Sequence, residues 1–218
     1  MNEYTRHIFY SHSDPLRAAS MKAYMKNLFP FIGINAPLRT QLISIIYKHF
    51  NVKNLNLPWV TFLWKENERE FQYAALDHLK KFCKYLKEED LPFIEKLITT
   101  KSWWDTVDAL ACHQVGFILK NNPNLIDQNV SKWLSSDNIW LNRTAILFQL
   151  KYKKETNFPL LCECILTHIS SKEFFIQKAS GWALREYAKT DPVAVKQFVE
   201  ANPELAGLTK REALKHIR

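Results

Sequence analysis

FQYAAL (71–76), TVDALA (106–111), LNRTAI (141–146) and IQKASG (176–181) start 35 residues apart along the chain. Each falls in the second helix of a predicted helix pair. A small residue recurs in the middle of each: Ala74, Ala109, Thr144 and Ala179. Small side chains let neighbouring helices approach closely. A two-helix unit of this length cannot bury its apolar face alone, so it stacks on its neighbours. The register therefore predicts an all-α, HEAT-like helical-repeat solenoid with one concave face. A globular helical bundle with coincidental spacing is the rival reading.

The surrounding sequence agrees with helices. The 218 residues include 4 glycines and 9 prolines, too few turn formers for an all-β fold. Pro15, Pro37 and Pro58 are placed to open helices. Ser102, Asp137, Ser171 and Thr209 are the expected N-caps, Thr209 forming a capping box with Glu212. The apolar spacing predicts helices at 3–10, 15–27, 37–50, 58–64, 67–84, 89–98, 103–120, 124–133, 138–151, 157–169, 172–188 and 192–200, with a last one at 210–217. No strand alternation and no interdomain linker stand out, so one domain over 1–218 is expected.

A hydrophobic fraction of 47% excludes a disordered chain. A net charge of +8 fits a polyanionic partner without requiring one. Cys83, Cys112, Cys162 and Cys164 form no CxxC pair or zinc-finger cluster, so no metal is expected, and reduced thiols suit a cytoplasmic protein. The first residues, MNEYTRHIFYSHSD, do not read as a signal peptide. No apolar run reaches the roughly 18 residues a membrane span needs.

The third position of each repeat segment carries the functional signal. It holds Tyr73, Asp108, Arg143 and Lys178. Equivalent positions project in similar directions, and three are charged in otherwise apolar helices. A core tolerates that only if every charge is paired, whereas a solvent-lined groove tolerates it readily. Trp104 lies four residues before Asp108, on the same helical side. Phe175, Lys178, Trp182 and Arg185 form one stripe of aromatic and basic residues. Such stripes are commonly core or solvated surface, but cations interleaved with aromatics also suit nucleic acid. A carboxylate among them would be repelled by phosphates, and a cationic transition state would compensate for it.

At these residues the sequence resembles the bacterial AlkD family of DNA alkylation repair enzymes. The likeness rests on TKSWWDTVDAL (100–110), SSDNIWLNRTAILFQLKYK (135–153) and SSKEFFIQKASGWALREYAKT (170–190), with AYMKNLFPFIGINAP (23–37) and EREFQYAALD (68–77). It runs from about residue 15 to the C-terminus. The resemblance implies a HEAT-like fold whose concave face binds duplex DNA. It implies a monofunctional N-glycosylase that removes positively charged N3- and N7-alkylated purines without flipping the base into a pocket. It implies that Asp108 is the catalytic carboxylate, that Trp104 and Trp182 pack against the deoxyribose, and that Arg143 sits at the DNA backbone. Tyr24, Lys151, Phe174, Phe175, Lys178 and Arg185 lie in matching blocks and are carried over as DNA-face residues. Asn35 and Ala111-Cys112-His113 depart from a relative's pattern. The expected partner is duplex DNA containing alkylated purines; no cofactor, metal or membrane is called for, and a monomer is expected. The alternatives are a HEAT-like DNA-binding protein without excision activity and a protein-interaction scaffold.

Overall fold

Five helices begin in the same way. The side chains of Asp14, Asn35, Asn56, Asn157 and Asp191 accept hydrogen bonds from the backbone N–H three residues on, and a proline follows in the first turn. The cap satisfies an amide the helix cannot, and the proline gives up an amide that would otherwise lack a partner. In this computed structural model, which describes residues 1–217, the regular structure is helical and no strand occurs among the described residues.

The expected N-caps are corrected. Ser102 Oγ donates back to the Ile98 carbonyl at 2.6 Å. Asn138, not Asp137, caps its helix, accepting from Trp140 N at 2.9 Å. Ser171 accepts from Glu173 N at 3.3 Å, ahead of the helix start. Thr209 lies inside the last helix and donates to the Gln177 carbonyl at 3.1 Å. Its partner in the supposed capping box, Glu212, is engaged by two cations instead. Ser102 and Thr209 are drawn off by a preceding-turn and a tertiary acceptor, while Asn138 and Ser171 make local bonds shifted from the expected cap position.

The chain forms two compact units, Met1–Leu86 and the remainder from Lys87. The first contains α1 (Asn2–Tyr10), α2 (Pro15–Tyr24), α3 (Ala36–His49), α4 (Leu57–Lys65) and α5 (Arg69–Lys81). Helix α2 stops before the expected residue 27 because Lys26 and Asn27 adopt left-handed φ of 57° and 60°. The loop after it wraps a fully buried carboxylate. Glu70 Oε1 accepts from the amides of Ile32, Gly33 and Ile34 at 3.0, 2.8 and 3.1 Å. Gly33 has φ +100°, and a Cβ there would stand 2.1 Å from the Asp14 carbonyl, so the loop's path requires glycine. Asn35 is explained by the same loop, since it caps α3. Nearby, His78 Nε2 accepts from Asn56 N at 2.9 Å while Nδ1 meets the Tyr47 hydroxyl at 2.9 Å.

The second unit contains α6 (Leu91–Ile98), α7 (Trp104–Ala109), a π-helical segment (Leu110–Val115), α8 (Gly116–Asn121), α9 (Ile126–Leu134), α10 (Ile139–Leu147), α11 (Phe158–Thr167), α12 (Phe174–Tyr187), α13 (Pro192–Ala201) and α14 (Gly207–Ala213). The 35-residue register appears here as physical contact. Cys112 Sγ faces the Leu147 carbonyl at 3.7 Å, and Lys120 pairs with Glu155 at 2.7 Å. Tyr152 donates its hydroxyl to the Gly116 carbonyl at 2.7 Å.

Two further helices differ from expectation, and their irregularities lie close together. The helix expected over 103–120 widens into a π segment at 110–115, and the one expected over 138–151 ends at Leu147. The residue that caps α10 presses against the first residue of α8, just past the π segment: a Cβ on Gly116 would lie 2.6 Å from the Phe148 carbonyl. The close approach ties the two irregularities together, and π bulges of this kind are frequent at functional sites.

A further repeat device lies one position into the segments. Gln72, Asn142 and Gln177 donate side-chain amides to carbonyls six residues back, those of Glu66, Ser136 and Ser171, at 2.8, 2.9 and 2.9 Å. Each stitches a helix of the second set to the loop that enters it.

Candidate active site

The third-position charges are paired, so the groove argument that exposed them is corrected. Arg143, on α10, donates Nε to Asp108 Oδ1 at 2.7 Å and Nη2 to Oδ2 at 2.8 Å. Its Nη1 donates to the Phe175 carbonyl at the start of α12. One guanidinium thus fastens three successive repeat helices. A fork-to-fork pair needs both oxygens as acceptors, which a carboxylate supplies and a carboxylic acid does not. The Arg143 side chain is only 4% exposed, while Asp108 keeps 15%. Arg143, expected at the DNA backbone, here has a buried side chain that holds both oxygens of Asp108.

Burial pushes the Asp108 carboxyl above the usual carboxylate range, and the hydrogen bonds and charge of Arg143 pull it back. The net result is a carboxyl more basic than an ordinary aspartate, with 15% of its side chain exposed. The same burial pushes the neighbouring Cys112 thiol up to about 12, with Asp108's charge adding to the effect. Cys112 is thus a packed thiol, not a nucleophile.

Beneath Arg143 lies an aromatic cluster. The Phe175 ring stands 4.9 Å from Trp103 and 5.0 Å from Trp140, with the guanidinium 5.9 Å from its centroid. This packing fixes the backbone whose carbonyl takes Nη1. Phe174 remains 56% exposed beside it. Trp104 is half-buried one turn before Asp108, and Trp182 is half-buried two turns after Phe175.

The other carried-over residues are distributed. Lys178 and Arg185 sit on α12 and both donate to Glu212 of α14, Lys178 at 2.7 Å. Those contacts hold Glu212 below the usual carboxylate range. Lys151 lines an open cleft of about 640 Å³ with Lys153 and Lys154. Tyr24 belongs to the first unit, at the end of α2, where it is 72% exposed.

Sequence reasoning missed Glu212, Trp103, Trp140 and the Phe175 carbonyl. Glu212 stands 34 residues after Lys178, and Asp108 and Arg143 stand 35 apart. Asking which charge lies one repeat on would have found both pairs.

The sequence profile of the DNA alkylation repair enzymes matches residues 5–217. The chain belongs to that family. A solved structure titled "Predicted DNA alkylation repair enzyme from Enterococcus faecalis" is 32% identical to it. That match covers 94% of this chain and 96% of the other, with a TM-score of 0.85. No curated protein matches. Membership of the DNA alkylation repair enzymes assigns this chain a DNA repair role, and the helical-repeat fold expected from the 35-residue register is the one found. Among the described residues, no cluster of three His, Cys, Asp or Glu is placed to hold a metal, and no helix is long and apolar enough to cross a membrane.

Proposed function

We propose that this repair enzyme is a monofunctional N-glycosylase of positively charged N3- and N7-alkylated purines in duplex DNA. In this reading the whole chain serves as one cytoplasmic, monomeric DNA-binding domain. The observation that carries it is Asp108: a largely buried, partly solvent-facing carboxylate held at both oxygens by a buried arginine, with a tryptophan one turn away.

Alkylation at N3 or N7 leaves the base cationic, so the C1′–N bond breaks with its electron pair passing to the base. The base departs neutral and needs no general acid. Positive charge moves to the sugar as an oxocarbenium ion. The Asp108 carboxylate stabilises that charge and takes a proton from the water that attacks C1′. The product is an abasic site. Trp104 and Trp182 offer electron-rich faces to the same cation. Arg143 keeps the carboxylate ionised and oriented. Because the mechanism brings the catalytic group to the sugar, the base need not be drawn into a pocket.

The test is release of 7-methylguanine from duplex DNA under single-turnover conditions across pH. The rate is expected to fall on the acid side above pH of about 4, the range of an ordinary aspartate, because the raised Asp108 pKa begins protonating it there. Duplex binding without release would instead support a DNA-binding protein that lacks excision. In that second reading the Asp108–Arg143 pair is structural; each carboxylate oxygen accepts one bond from Arg143 and keeps a second lone pair.

A further inference from the structure

Lys178 and Arg185 flank Trp182 on one stripe of α12. Bare, they would give that stripe two positive charges. Both are instead bound by a single carboxylate, that of Glu212, whose side chain is 12% exposed. The arrangement is built by close packing. A Cβ on Gly181 would fall 2.5 Å from Glu212 Cβ and 2.8 Å from the Thr209 carbonyl, so α14 lies against α12 only because residue 181 is glycine. Thr209 fixes the approach with its bond to the Gln177 carbonyl.

We infer that Glu212 is an internal counter-ion that tempers general DNA affinity by holding Lys178 and Arg185 away from phosphates. Phosphate contacts are independent of sequence and of damage, so every free cation beside the candidate site tightens binding to all DNA alike. Weaker general grip shortens each stay on undamaged DNA and leaves the protein free to move along it. One internal carboxylate bridging two cations reduces that general grip while leaving the aromatic Trp182 between them in place. Phosphates gain these cations only by competing with Glu212. The inference rests on the DNA-binding part of the proposed function and not on excision.

The experiment is equilibrium binding of the full chain to an undamaged duplex across a salt titration. Wild type is compared with Glu212→Gln, Lys178→Gln and the double variant. Each freed cation adds about 0.9 to the slope of log K against log salt. Glu212→Gln is expected to steepen the slope by about one to two and to tighten binding about threefold to tenfold at low salt. Lys178→Gln should lower the slope more in the Glu212→Gln background than in wild type, a coupling that lost packing alone does not produce. Should Glu212→Gln fold poorly, Glu212→Asp keeps the charge but shortens the reach, and its slope should lie between the two. Equal slopes for wild type and both Glu212 variants, or strictly additive effects, overturn the inference while leaving DNA binding intact. Salt-insensitive or absent binding by wild type removes this inference and the proposed function together.

Discussion

Glu70 in the first unit and Asp108 in the second are both carboxylates taken largely out of water, and burial raises both above the usual range. They are compensated differently. Glu70, on α5, is fully buried and faces backbone amides of Ile32, Gly33 and Ile34, neutral donors in the loop between α2 and α3. Asp108 faces a formal charge on another helix and keeps an edge in solvent. Amides satisfy the carboxylate and in return shape a loop. A guanidinium favours the charged form and orients it, and the remaining exposure is what the proposed role in catalysis draws on. The contrast separates a buried charge that serves the fold from one suited to chemistry.

The largest effect should come from Glu70→Ala, which leaves three buried amides without an acceptor. At about 1–3 kcal/mol per unsatisfied group, a stability loss on the order of 5 kcal/mol is expected. It should appear in denaturant melts and as faster hydrogen exchange at residues 32–34. Excision by whatever fraction stays folded should be unchanged. A loss of turnover larger than the loss of folded protein would break the contrast.

Asp108→Asn should do the reverse. Single-turnover excision is expected to slow by roughly 10²–10³-fold, about 3–4 kcal/mol, the usual cost of one preorganised electrostatic group. Its melting point should fall less than that of Glu70→Ala, since Asn retains one acceptor for Arg143. A well-folded Asp108→Asn protein that excises at the wild-type rate would make the pair structural.

pH separates the regions again. Burial lowers the His78 pKa to about 4 from its ordinary 6.5. A lowered folded pKa means the neutral ring stabilises the fold fully above pH 6.5, and that contribution drains away as pH falls toward 4. The loss reaches about 3 kcal/mol, and urea melts between pH 7 and pH 4 should show one extra proton taken up on unfolding. If His78→Gln shows the same pH dependence as wild type, the ring is not responsible. The smallest effect is expected at the repeat amides: Gln177→Ala should cost about 1 kcal/mol in a melt, with little effect on excision.

Much of the candidate site was legible in the sequence because a repeat converts spacing into neighbourhood. Asp108 and Arg143 were singled out by register alone, and register is what puts their side chains within 2.7 Å. The charges were read as lining a groove because a sequence does not say which charges meet. Lys178 and Arg185 were visible as a basic stripe, but their neutralisation depends on Gly181 admitting α14, a contact between chain segments about one repeat apart. Glu212 had a local reading as a capping residue, and that reading was the wrong competitor.

The sequence by itself determined that the chain is helical, where most helices begin, and the 35-residue period on which the second unit is stacked. These follow from local physics: apolar periodicity, and prolines that dictate φ. Only the tertiary structure decided that α7 and α8 are separated by a π segment, that α10 ends at Leu147, and that Arg143 is buried against Asp108 and not exposed for phosphate. Those outcomes turn on small differences in helix-to-helix distance and on which donor reaches which acceptor. Such distances are set by packing of residues far apart in the chain, and no local propensity encodes them.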